Sequence, residues 1–533
     1  MAKKKKQNDL EYRQSLSEMS QWVALFFMSI FLLIPGTHGA FYNITESRFW
    51  YFFIVAMIYL AFIIYVISIG YKKIDFKTFI KPSISQYFVL GYMVWSLFCA
   101  IISKYDFFDT LLGHSRQEAL LSIWAYGILF IFISEFAEHS NWYLYGFIVM
   151  ATIEGIIATM HVQGSTVLFP GEYNYFNSQF IGTIGNVDCY SNIAALIIPA
   201  LFAAYVFMEN KIRFLALPAI TLLFYSHTVT DVDCGKVGLV VAFAFAVIFT
   251  CDTLKGIGRT LEAGGFVILG YDLYRLFDGT TMEAKVVNAD ETFKKIIYLA
   301  IAVLALGVII ELIANKTKAK LLKPAIMRII ILVLVVVIAV VAIKFVYNYE
   351  GENGLIKEFS MAMHGEWTDR MGSNRGYIWK WSLELIKQKP ITGYGPGTYA
   401  LAFEPYDEGY MQLQANTIVD EAHNDYIHIA VCQGIVGLVL YLAYVISLLV
   451  RGIIFACKAG KTDFSAIAKG DVLAKEELEK KARIATIYMV GIVGFLAAVF
   501  FVFSIAIVSP SYWTMAALLE HLIKTGNQSL ENK

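Results

Sequence analysis

The chain has 533 residues, of which 58% are hydrophobic and only 16% charged, and its 43 basic residues balance 43 acidic ones. Mean hydropathy is +0.60, and apolar stretches of about 18 residues or more recur between short polar links. A helix that packs in water needs only one apolar stripe, so this composition excludes a soluble enzyme and predicts an all-α integral membrane protein. No basic, aromatic-interleaved soluble patch is present, which argues against nucleic acid as a partner.

The chain opens on Lys3 to Lys6 and stays polar to about Gln21. The first apolar run lacks a small-residue cleavage site, so we expect it to remain as an anchor. Spanning helices are predicted near 20–35, 49–70, 86–103, 119–137, 142–161, 189–208, 213–227, 235–251, 296–314, 326–347, 427–452 and 484–509. Weaker segments lie near 261–278 and 511–524, giving about 12–14 helices and an even number. Lys72, Lys73, Lys77, Lys81, Lys211 and Arg213 fall on one side, predicted to be cytoplasmic. Lys316, Lys318, Lys320, Lys323 and Arg328 join that side only if the stretch Phe266 to Phe277 crosses or re-enters. The expected organisation is therefore N-terminal membrane helices over 1–347, an outward-facing, partly helical loop over 348–426, and C-terminal membrane helices with a basic cytoplasmic loop over 427–533.

A connection of that length is functional or disordered. Order is expected, because Ile378, Trp381, Ser382, Leu385 and Ile386 share one helical face, Asn374 can cap it and Pro390 stops it. With Trp379 and Trp381, such a helix suits a headgroup interface. Gly393-Tyr394-Gly395-Pro396-Gly397 reads as a tight turn and makes a poor nucleotide loop, since it follows a helix stop and lacks a Lys-Ser/Thr ending. The run Asp420-Glu421-Ala422-His423-Asn424-Asp425-Tyr426 follows, then Gly434 and Gly437 in an apolar helix. A histidine about to enter a membrane suits proton transfer at neutral pH, because its ordinary pKa is near 6.5.

The order Arg375, Trp379, Pro390, the glycine-rich turn, His423-Asn424 and Gly434-Ile435-Val436-Gly437 resembles the signature of the O-antigen ligase and polymerase superfamily of bacterial membrane glycosyltransferases. The spacing from His423 to Gly437 is similar to the ligase pattern. Gly182-Thr183-Ile184-Gly185-Asn186 and Gly113-His114-Ser115-Arg116-Gln117-Glu118 support it upstream. One element departs: such proteins usually carry Ser-Arg at the start of a middle helix, where this chain has Asp233-Cys234-Gly235-Lys236. Either Lys236 stands in for that arginine, as a point charge without a bidentate fork, or it only snorkels and Arg116 takes the role.

The resemblance implies transfer of a glycan from a polyprenyl (undecaprenyl) diphosphate carrier to an acceptor hydroxyl on a glycan, lipid or protein, at the outer face of the bacterial cytoplasmic membrane. It also implies inversion at the anomeric carbon. The developing charge on the diphosphate needs fixed cations, for which Arg375 with Lys236 or Arg116 are the candidates, and no metal or cofactor is required. His423 is the candidate base. Asn424 would orient it or a sugar hydroxyl, Glu421 or Asp425 would set its tautomer, and Asn186 is a supporting candidate better read as a helix cap. A polymerase joining lipid-linked repeats differs only in its acceptor. A lipid-linked sugar transporter would show an inverted repeat, and none is visible.

Glu154 inside an apolar helix is either functional or a structural acid. Gly434 and Gly437 are best explained by close helix packing. His139, His161 and His227 lack metal-site spacing. The six cysteines form no Cys-x-x-Cys pair, though Cys189 and Cys234 fall on the same side and are a possible disulfide.

Overall fold

The structure is a computed structural model that describes residues 2–36, 44–75, 79–114, 116–163, 180–276, 291–317, 322–413, 418–459 and 469–531. Lys77, Ser115, Phe277, Lys318 and Lys320 lie outside the described residues. The described chain is built of helices: α1 (Ala2–Leu25), α2 (Ile44–Gly70), α3 (Ile84–Ile101), α4 (Phe107–Leu112), α5 (Leu120–Phe136), α6 (Trp142–Val162) and α7 (Val187–Phe207). There follow α8 (Ala216–Thr230), α9 (Asp233–Thr250), α10 (Leu254–Leu276), α11 (Glu291–Thr317), α12 (Pro324–Tyr347), α13 (Gly354–Met363) and α14 (Met371–Gln388). The last are α15 (Tyr399–Phe403), α16 (Asp407–Met411), α17 (Asp425–Ala459), α18 (Lys469–Ala498) and α19 (Ser509–Glu531). Two-residue strands, Phe180–Ile181 and Gly185–Asn186, pair antiparallel just before α7.

Eleven of the described helices are long and apolar enough to cross a membrane, and the apolar helix Leu120–Phe136 is shorter. The protein is an all-α integral membrane protein, as its composition predicts. A helix satisfies its own backbone groups, the condition for lying in lipid. α7 is almost wholly buried at the centre of the bundle, whereas α12 buries none of its residues. α10 is one continuous helix through the stretch whose crossing was in question, but Arg259, Glu262 and Asp272 make its apolar stretch more charged than those of the eleven. α19, the other weak segment, is also a single helix below that threshold.

Polar anchors tie the helix ends together on the face that bears 348–424. Arg48 donates to the carbonyls of Leu32 (2.8 Å), Ile34 (2.9 Å), Thr183 (2.7 Å) and Ile507 (3.2 Å). Glu154 accepts the Thr183 N–H at 3.1 Å and also its hydroxyl, so this buried acid holds the hairpin turn before α7. His161 and His227 are likewise occupied, by the Gly182 N–H (3.2 Å) and the Ser191 hydroxyl (2.9 Å). Cys189 and Cys234 are buried free thiols, so the possible disulfide is absent.

The loop has a core of its own. Ile378, Ser382 and Leu385 of α14 are buried, and the two apolar ones pack with Tyr399, Phe403, Tyr410, Val419, Ala422, Val431 and Cys432. The face expected at a lipid headgroup interface is therefore covered by protein. Trp381 stacks on Tyr406 at 4.4 Å, and Trp379 gives its indole N–H to the Ala422 carbonyl at 3.0 Å. Asn374 does not cap α14. Gly372, Ser373 and Asn374 all take left-handed conformations (φ 60°, 57° and 69°), and the regular helix starts at Arg375.

α17 is interrupted at Gly434 (φ 68°, ψ −179°). The break frees backbone groups that the glycine-rich turn takes up: Tyr394 N–H donates to Val431 O (3.0 Å), Gly395 N–H to Cys432 O (2.8 Å) and Ile435 N–H to Pro390 O (2.8 Å). Gly393 and Gly434 thus serve one backbone-to-backbone dock, closer than the helix packing expected of Gly434, whereas Gly397 abuts Ala119 and Gly113 and Gly437 faces Trp95.

Candidate active site

The dock fixes the end of the loop relative to α17, and the residues between them carry the chemistry. The residues on either side of His423 are tied down. Val419 N–H donates to Asp407 (3.1 Å), Asp420 holds Arg116, and Ala422 O takes the Trp379 indole. Asn424 caps α17, its side-chain oxygen accepting the Ile427 N–H at 3.0 Å. Asp425 accepts the Ser504 N–H at 2.8 Å and the Ser504 hydroxyl. His423 sits within this sequence of anchors at φ 49°, a left-handed conformation uncommon outside glycine. Strain of that kind persists only where the surroundings over-determine it.

The His423 ring meets Phe503 edge-on at 5.3 Å, and its Nδ1 is buried without a hydrogen-bond partner. Burial, then the Arg375 and Arg116 charges, hold its pKa down at about 3. Arg116 grips Asp420 with two bonds, Nε to Oδ2 at 2.7 Å and Nη2 to Oδ1 at 3.2 Å, and lies 4.1 Å over the Phe503 ring. Arg375 donates from Nε to Phe501 O (2.9 Å) and from Nη1 to Gly372 O (2.8 Å). The left-handed turn over 372–374 brings that second carbonyl back onto the guanidinium.

Arg375 lines a cavity of about 640 Å³ whose walls include Asp188, Asp231, Asp233, Glu358, Trp367 and Phe501. Arg116 and His423 meet on the Phe503 ring, and the charges of Arg375 and Arg116 both act on His423. Lys236 is engaged elsewhere, 2.7 Å from both Asp231 and Asp233. Asn186 caps α7, accepting the N–H groups of Asp188 (2.9 Å) and Cys189 (3.0 Å). Glu421 and Asp425, expected beside His423, have other partners. Glu421 Oε2 lies 2.6 Å from His428 Nδ1, an ion pair set off the line of a ring N–H, and Asp425 holds Ser504.

Asp188 and His428 escape the sequence reading, and Glu118 enters it only within the Gly113–Glu118 segment. Asp188 lies two positions after the Asn186 cap and faces the cavity. His428, one turn beyond Asn424, stacks on Tyr399 at 5.3 Å. Glu118 shares with Glu421, Asp425 and His428 a polar void of about 50 Å³, and burial followed by the Asp425 charge lifts its carboxyl well above the ordinary range. Only the period of the 425–430 helix, which returns His428 to the Asn424 face, signals any of them. Among the described residues, no group of three or more His, Cys, Asp or Glu is placed to hold a metal ion.

Residues 292–442 match the family model described as O-antigen ligase. The similarity to O-antigen ligases covers this stretch of the chain. It takes in Arg375, the glycine-rich turn, His423, Asn424 and both Gly434 and Gly437, while Arg116, Asn186 and Lys236 lie outside it. No curated protein gives a significant match to the chain. The O-antigen ligase match and the apolar helices support a multi-pass bacterial membrane protein and an enzyme of the glycosyltransferase type.

Proposed function

We propose that the protein transfers a glycan from a polyprenyl (undecaprenyl) diphosphate carrier to an acceptor hydroxyl, at the membrane face that carries the 348–426 loop. We assign that face to the outside of the bacterial cytoplasmic membrane. The observation that carries the reading is a neutral histidine under the charges of two arginines, one of which, Arg375, lines a large cavity, with the histidine and that arginine both inside the stretch that matches O-antigen ligases.

Arg375 and Arg116 offset the charge that develops on the leaving diphosphate, held in place beforehand by their backbone and carboxylate partners. The acceptor oxygen bonds to the anomeric carbon, the bond from that carbon to the diphosphate oxygen breaks, and its electron pair leaves with the diphosphate. His423 takes the acceptor's proton, and the anomeric configuration inverts. In the empty site burial depresses its basicity most and the two arginines depress it further; a bound diphosphate offsets the arginines, so the base strengthens when the donor is in place. No step calls for a metal. The His423 to Gly437 spacing favours a ligase acceptor over a second lipid-linked repeat.

The test is glycan transfer by purified, reconstituted protein from a polyprenyl diphosphate glycan to a panel of acceptors, with and without chelator. Wild type should transfer in both conditions, and His423→Ala and Arg375→Ala should lose most of the rate. Transfer by His423→Ala at the wild-type rate would remove the base from the mechanism.

A further inference from the structure

Asp188 is the cavity's unexplained carboxylate. Its neighbours there are committed: Asp231 and Asp233 hold Lys236 at 2.7 Å, and Glu358 accepts the Gly372 N–H at 3.0 Å. Asp188 itself has no side-chain hydrogen bond or ion pair among the described residues, although it lines the cavity beside Arg375. Arg375 and Arg116 are the charges that act on it, the same two that act on His423. Its backbone is held by the Asn186 cap on the first turn of α7. An anion beside two cations that receive a diphosphate weakens the binding of that diphosphate. Such a placement is useful if the carboxylate serves the other substrate, since a carboxylate accepts hydrogen bonds from sugar hydroxyls strongly.

We propose that Asp188 binds the acceptor hydroxyl and sets the order of binding, donor first and acceptor second. The proposal rests on the glycosyltransferase reading above. In the empty site the charges of the two arginines act favourably on the Asp188 carboxylate without an ion pair to either. A diphosphate takes over their charge and leaves Asp188 as an unbalanced hydrogen-bond acceptor facing the cavity, which an incoming O–H group satisfies. Asp188 orients that hydroxyl, and its proton goes to His423.

The experiment compares wild type, Asp188→Asn and Asp188→Ala in two measurements: binding of inorganic diphosphate by calorimetry, and steady-state transfer with the acceptor varied. Asp188→Asn should bind diphosphate about threefold to tenfold more tightly, because a like charge is gone. Its KM for the acceptor should rise about tenfold with a smaller fall in kcat, and Asp188→Ala should be worse. Binding of a glycan acceptor to wild type should require diphosphate, and that requirement should vanish in Asp188→Asn. Diphosphate binding that is unchanged or weaker in Asp188→Asn, or an unchanged acceptor KM, overturns the proposal while wild-type transfer keeps the parent reading. Wild type that neither binds diphosphate nor transfers glycan overturns both.

Discussion

Arg116 and Asp420 are joined by a two-point bond at 2.7 and 3.2 Å across 304 positions of sequence, and the guanidinium also covers Phe503 at 4.1 Å. The pair fastens the segment before α5 to the residue three places ahead of His423. A lysine keeps the charge but has neither the planar fork nor the stacking face. Arg116→Lys should therefore lose about 2 kcal/mol of transition-state stabilisation, roughly a thirtyfold fall in kcat/KM. Arg116→Lys with wild-type kcat/KM would show that neither fork nor stacking matters.

The depressed pKa of His423 gives a pH signature. A pKa of about 3 means that the ring of the free protein refuses a proton throughout the neutral range. Diphosphate offsets the two arginines and moves the pKa upward, while burial, the larger cause, keeps it below the ordinary value near 6.5. The acid limb of kcat, which reports the substrate complex, should then lie at higher pH than that of kcat/KM, which reports the free enzyme. Histidine NMR should show the same displacement on adding diphosphate, and a smaller one in Arg375→Ala. A His423 resonance titrating near 6.5 in the free protein would remove the electrostatic argument.

Much of this was legible in the chain, for physical reasons. Hydropathy reports lipid exposure directly, so α2, α11 and α12 are plain in sequence. α10 is obscured because its Arg259 is buried against Glu209 and Glu311 (2.9 and 2.8 Å), a pairing that hydropathy counts only as charge. The His423-Asn424 pair and the glycines stand out because backbone constraints restrict residue type. Side-chain partnerships between distant segments leave no such mark. Nothing in the sequence distinguishes Glu421 paired with His428 from Glu421 paired with His423, or Lys236 in the cavity from Lys236 bound by Asp231 and Asp233.

Lys236 can be separated from the arginines experimentally. Its ammonium is held 2.7 Å from two carboxylates at the cavity wall, so removing it exposes two anions to the site instead of deleting a free cation. Lys236→Ala should weaken donor binding by less than Arg375→Ala does, and salt should mask much of the difference, because partly exposed charges are screened. Measured donor KM values at about 0.05 and 0.5 M salt decide it. A Lys236→Ala defect as large as that of Arg375→Ala, and insensitive to salt, would put the lysine on the diphosphate.

Gly434 is the most demanding backbone position of the dock. At φ 68° and ψ −179° it occupies a region open in practice only to glycine, and a Cβ there would lie 2.0 Å from the Ile391 carbonyl oxygen. Gly434→Ala must move the Pro390 to Gly395 strand away from α17, weakening the three backbone bonds that hold the loop. The conformational penalty alone is about 1–3 kcal/mol. The loop should become more sensitive to protease, and the melting temperature should drop by several degrees. Gly264→Ala is the control, because its added Cβ meets nothing within 4 Å, and alanine favours a helix over glycine by about 1 kcal/mol. Identical proteolysis and melting in the two variants would mean that the dock does not hold the loop; faster cleavage in Gly434→Ala alone would tie the glycine-rich turn and the break in α17 to the placement of His423.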